Sequence, residues 1–77
     1  MKNVTLYHLP DSDASKEARA FLDSRAVSYN IVDVSDPKNA QKLLSETKQL
    51  TVPVLTVGKE AVVGFEPNLY ENLLKQR

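Results

Sequence analysis

"NVTLYHLPDSDASKEARAFL", residues 3–22, changes its hydrophobic period once, at Pro10. Before the proline, "NVTLYH" alternates in polarity and is rich in strand formers, the pattern of a β-strand over residues 3–8. After it, Asp11 and Ser12 supply helix-start chemistry, and Ala14, Ala18, Phe21 and Leu22 recur at helical spacing. The helix is expected to end near residues 24–26. Its first turn carries two hydroxyls, Ser12 and Ser15. Taken alone, they read as a helix cap and a first-turn side chain.

Outward from this stretch, "SYNIVDV", residues 28–34, reads as a second strand. Tyr29 and Ile31 are its expected buried residues, with Val32 and Val34 as further candidates. "SDPKNAQKLLSETKQ", residues 35–49, opens a second helix. Ser35 or Asp36 can cap it, and Pro37 suits the first helical turn. Ala40, Leu43, Leu44 and Thr47 mark its inner face. "VPVLTV" and "AVVGF" are separated by Gly58-Lys59-Glu60 and read as a β-hairpin. "EPNLYENLLKQR" closes the chain as a third helix, with Leu69, Tyr70, Leu73 and Leu74 toward the core.

The order is therefore βαβαββα. A βαβ unit wants parallel strands joined by a right-handed crossover, and the hairpin wants to join the same sheet in antiparallel fashion. An α/β fold with a four-stranded mixed sheet and helices on both faces satisfies both demands.

Composition narrows the function. The chain has 77 residues, enough for one small domain over 1–77. Ten basic and ten acidic residues cancel, so nothing favours nucleic acid or an anionic membrane as partner. No segment approaches the ~18 apolar residues of a membrane span, and the N-terminus is unlike a signal peptide. A cytoplasmic, monomeric protein is the expectation. Cysteine is absent and His8 is the only histidine, so neither a disulfide framework nor a structural zinc site is expected.

Four features together resemble the minimal thioredoxin-like fold of the glutaredoxin family, over nearly the whole chain, and the resemblance implies strand order 2-1-3-4. "VTLYHLP" followed by x-S-x-x-S is similar to the family's strand, Tyr, Pro and Cys-x-x-Cys, with Ser12 and Ser15 at the two cysteine positions. "KEARAFLDSRAVSYNIVDV" is similar to its first helix and second strand. "TVPVL", residues 51–55, matches its Thr-Val-Pro, whose proline is cis and faces the dithiol. "VVGF", followed by an acidic residue, matches its last strand and glycine turn.

The resemblance implies thiol–disulfide exchange, with position 12 attacking and position 15 resolving. It also implies a disulfide-containing protein or small thiol as substrate, and thioredoxin reductase as a redox partner. Thr51, Val52, Pro53, Gly64 and Phe65 would form the substrate groove, with the Val52 backbone pairing to an extended ligand. The underlying chemistry is general: unsatisfied N–H groups at a helix N-terminus favour a thiolate, which attacks a disulfide. A serine hydroxyl neither ionises near neutral pH nor forms disulfides. Serine at both positions is the isosteric replacement that silences a dithiol and keeps its shape, so the chain is expected to be redox-inactive. The alternative is a naturally cysteine-free binding module for a peptide or protein.

No cofactor is expected, and glutathione is expected to bind weakly. Leu9 and Leu50 stand where the family often has basic residues for its carboxylates, and Glu66 adds a like charge. Lys48 is the one side chain that works against this expectation. Asp11 and Asp13 would raise the pKa of a thiol between them. His8 and Tyr7 are expected to be packing residues at the strand end, and Lys16, Arg19, Lys48 and Lys59 solvated charges.

Overall fold

A computed structural model describes residues 2–77. Its elements are β1 (Val4–His8), α1 (Asp13–Ser24), β2 (Asn30–Asp33), α2 (Pro37–Thr47), β3 (Val54–Val57), β4 (Glu60–Val63) and α3 (Pro67–Leu74). The sheet order is β2-β1-β3-β4, with β1 parallel to β2 and the other pairs antiparallel. This is the expected minimal thioredoxin-like architecture.

Strand alternation divides the core in two. Val4, Leu6, Leu55 and Val57 point to one face, where Ala18 and Leu22 of α1 and Tyr70, Leu73 and Leu74 of α3 cover them. Tyr7 and Val54 point to the other face and meet Leu43 of α2. The period of two along each strand thus sends neighbouring residues to opposite layers. At the hairpin turn, Gly58 has φ +61°, and a Cβ there would come within 3.0 Å of the Lys2 side chain.

Four local expectations are corrected. β2 is shorter than residues 28–34, and Ile31 is 48% exposed rather than buried. β2 has a neighbour on one side only, so its side chains lack the flanking strand that buries Leu6 in β1. Leu69 is 51% exposed. At 3.6 residues per turn, Tyr70, Leu73 and Leu74 share one stripe of α3, and Leu69 falls outside its edge, about 40° beyond Leu73. Leu44 is exposed for the same reason, leaving Leu43 as the fully buried anchor of α2. No helix among the described residues is long and apolar enough to cross a membrane.

Candidate functional site

The registers bring three loops to one end of the sheet. Tyr7 pairs with Val54, and Val54 pairs with Val63. The residues that follow β1, precede β3 and follow β4 therefore emerge together. They carry Ser12 and Ser15, Thr51 to Pro53, and Gly64 to Phe65.

Ser12 is the N-cap of α1, in extended conformation (φ −79°, ψ 128°). Its Oγ accepts the Ser15 N–H at 3.3 Å, and its own N–H donates to Leu9 O at 2.9 Å. Ser15 is fully buried, and its Oγ accepts the Leu9 N–H at 3.1 Å. The first helical turn and the loop before it are thus tied together through the two hydroxyls. Ser12 remains half-buried, facing the positive end of the helix dipole. Asp11 and Asp13 flank it and are exposed.

The Val52–Pro53 peptide bond is cis, and Pro53 is buried. Pro53 O accepts the Gly64 N–H at 2.7 Å, joining the loop before β3 to the loop after β4. Gly64 has φ +87° with open space in the Cβ direction, so glycine is favoured there by conformation and not by crowding. The Tyr70 hydroxyl donates to Gly64 O at 2.9 Å. Burial, with Glu66 nearby, holds the Tyr70 phenol well above its ordinary pKa. Phe65 packs edge-on against Phe21 (5.7 Å) and Tyr70 (5.4 Å), so its ring braces the loop from below. Val52 is half-buried, whereas Thr51 is exposed and donates to Gln49 Oε1 at 3.2 Å.

Tyr7 and His8 are buried, as packing residues should be. Tyr7 donates to Glu46 Oε2 at 2.9 Å, and burial together with that bond pushes its pKa up to about 12. Sequence reasoning missed the surroundings of His8. Its Nδ1 and Arg19 Nε are both buried without a hydrogen-bond partner. Desolvation first, and then the Arg19 charge, lower the His8 pKa, with Asp33 opposing them. Arg19 is half-buried rather than a freely solvated charge. No local sequence signal marks this, because the charges that act on His8 come from separate elements, Arg19 on α1 and Asp33 on β2.

Among the described residues, no group of three or more His, Asp or Glu side chains could hold a metal. A depression of about 510 Å³ lined by Lys2, Val27, Tyr29 and Arg77 lies at the opposite end of the sheet, where β1 and β2 begin. Concavity alone would point away from the three converging loops.

Known proteins share this architecture. The chain is 26% identical over 74 residues to an uncharacterised glutaredoxin-like 8.6 kDa protein in the rubredoxin operon of Clostridium pasteurianum, covering 95% of this chain and 99% of that one. The structure superposes on a glutaredoxin from Archaeoglobus fulgidus with TM-score 0.89 and 22% identity, covering 97% of this chain and 88% of that one. It superposes on NrdH-redoxin from Escherichia coli with TM-score 0.80 and 21% identity, covering 92% and 93% of the two chains. At these identities the two structures speak for the fold. The Glutaredoxin family profile matches residues 4–62, from the first residue of β1 into β4. With serines at its helix N-terminus, its cis proline and its four-stranded mixed sheet, this chain belongs to the glutaredoxin family.

Proposed function

We propose that this protein keeps the substrate groove of a glutaredoxin-type thiol–disulfide oxidoreductase and binds an extended protein segment there without exchanging disulfides. The carrying observation is the pair of hydroxyls. Ser15 Oγ takes the Leu9 N–H, and Ser12 Oγ takes the Ser15 N–H. Each serine occupies its place as a hydrogen-bond acceptor, and the chain contains no thiol to form a mixed disulfide.

Thiol–disulfide exchange needs a thiolate at position 12, a disulfide in the substrate, and a second thiol at position 15 to release the mixed intermediate. A hydroxyl at 12 stays protonated near neutral pH, so the first step does not begin. What remains is recognition. Ser12, Thr51, Val52, Pro53, Gly64 and Phe65 are the residues proposed to meet the ligand, with Val52 offering backbone pairing. The exposed apolar side chains of Leu9 and Leu50 beside these loops support a protein segment rather than glutathione as the ligand class. In a dithiol form, thioredoxin reductase is the expected electron donor.

The test compares the chain as it stands with the Ser12→Cys/Ser15→Cys variant. The serine chain should bind a disulfide-containing peptide and leave it oxidised, and the variant should reduce it. Failure of the variant to reduce any disulfide would remove the assignment of positions 12 and 15. Failure of the serine chain to bind would remove the groove.

A further inference from the structure

We infer that the groove selects an extended segment in which apolar side chains are flanked by lysine or arginine, and that it rejects acidic ligands. This deepens the binding reading above and rests on it.

The charge of the chain balances overall, but not at this end of the molecule. Residues 9–13 carry Asp11 and Asp13 with no base, and residues 64–66 carry Glu66 with no base. Residues 48–53 carry one base, Lys48. Its Nζ donates to Ser45 O at 3.2 Å, back along the C-terminal turn of α2. There it satisfies a carbonyl that the helix leaves unpaired, so it is turned toward its own helix. Glu66 caps α3 without a side-chain hydrogen bond, and its charge acts on the Tyr70 phenol that holds Gly64 O. Glu66 is exposed and follows Gly64 by two residues, so it brings its charge to the end of the sheet where the glycine turn lies. Lys16, one residue past Ser15, is the nearest base on α1 and leaves the loops with an acidic excess.

The same loops leave apolar surface open. Leu9 is 37% exposed and Leu50 57% exposed. Leu9 immediately precedes the turn to Ser12, and Leu50 sits in the loop that leads to Pro53. An occupant that satisfies both features has apolar side chains for the leucines and cations for Asp11, Asp13 and Glu66. A ligand with its own carboxylates would face repulsion from the exposed Asp11, Asp13 and Glu66, with only Lys16 and the turned-back Lys48 near these loops to offset their desolvation. At such exposed positions the attraction is screened over about 10 Å at 0.1 M salt, so selectivity should weaken as salt rises.

The experiment uses the unmodified chain, labelled with ¹⁵N, and synthetic peptides that share one Val/Leu centre. One peptide is flanked by Lys and Arg, a second by Glu and Asp, and a third by Ser and Gln. Amide shifts at Ser12, Val52 and Gly64 report binding. The basic peptide should bind about five- to tenfold tighter than the acidic one, as a few exposed ion pairs allow. The gap should close with added salt. An Asp11→Asn/Asp13→Asn/Glu66→Gln variant with an unchanged fold should also close it. Equal binding of all three peptides, or a gap insensitive to salt, would overturn the charge selectivity and leave the groove intact. Absence of shifts with every peptide would overturn the groove itself.

Discussion

Ser15 and Leu9 are joined by a hydrogen bond in which the buried Ser15 Oγ accepts the Leu9 N–H at 3.1 Å. The Ser15 N–H in turn donates to Ser12 Oγ at 3.3 Å. Two side chains in one helical turn thus do unequal structural work, and their removal should have unequal cost. Ser12→Ala deletes a half-exposed cap with a long bond, so a loss near the low end of about 0.5–2 kcal/mol is expected. Ser15→Ala leaves the Leu9 N–H facing the space of a fully buried side chain, at about 1–3 kcal/mol. Urea unfolding of both variants checks the order. A larger loss at Ser12 would contradict the geometry.

Restoring both thiols should give an intramolecular, reversible disulfide. Position 12 should titrate at the lower pH, because it caps the helix and is more exposed than position 15. Asp11 and Asp13 oppose ionisation at position 12. Replacing both with Asn in the dithiol variant should lower that thiol pKa further. Thiol titration by ultraviolet absorbance or NMR measures both effects, and a lower pKa at position 15 is the contrary result.

His8 should make stability depend on pH. Its folded pKa lies below the ordinary 6.5 because burial and Arg19 disfavour the cation. Below about pH 6.5 the unfolded chain therefore binds the proton more readily than the folded one. Stability is fully retained above that pH and is lost as pH falls toward the folded value. His8 is the only histidine, and Asp33 stays ionised here because its pKa is lowered by its bonds from Ser35. Denaturation midpoints between about pH 7.5 and about pH 5.5 should fall in the unmodified chain and stay flatter in His8→Gln. Arg19→Met should give an intermediate slope. An unchanged slope in His8→Gln would remove His8 as the cause.

Glutathione should bind weakly, even to the dithiol variant. Both of its carboxylates need a cation or free N–H groups to offset desolvation. Leu9 and Leu50 supply neither, and Lys48 is held toward Ser45. Backbone pairing at Val52 is worth about 0.5–1.5 kcal/mol net per bond, less than the cost of ordering a flexible tripeptide. Titration with reduced glutathione should give no saturable shifts at Ser12, Val52 and Gly64 below millimolar concentration.

The alternation in "NVTLYH", the helical spacing after Pro10 and the Gly58 turn are local patterns. They sufficed for element order and the two-layered core, because each hydrophobic period commits its residues to a face wherever the chain goes, whereas the strand order came from the family resemblance. Ser12, Ser15, Pro53 and Gly64 were legible as candidates because the family pattern spaces them along the chain. The sequence could not show how deeply edge positions are covered. Ile31 and Leu69 are apolar in the right period, yet their exposure depends on which neighbours reach them, and β2 has only one flanking strand. Nor could it show that Ser15 turns its hydroxyl to Leu9, that Lys48 folds back on its helix, or that the Arg19 charge acts on the buried His8. Those relationships join atoms whose separation is set by packing of whole elements. Only the tertiary structure brings them together, since hydrogen bonding and desolvation act over a few ångströms and not over sequence distance.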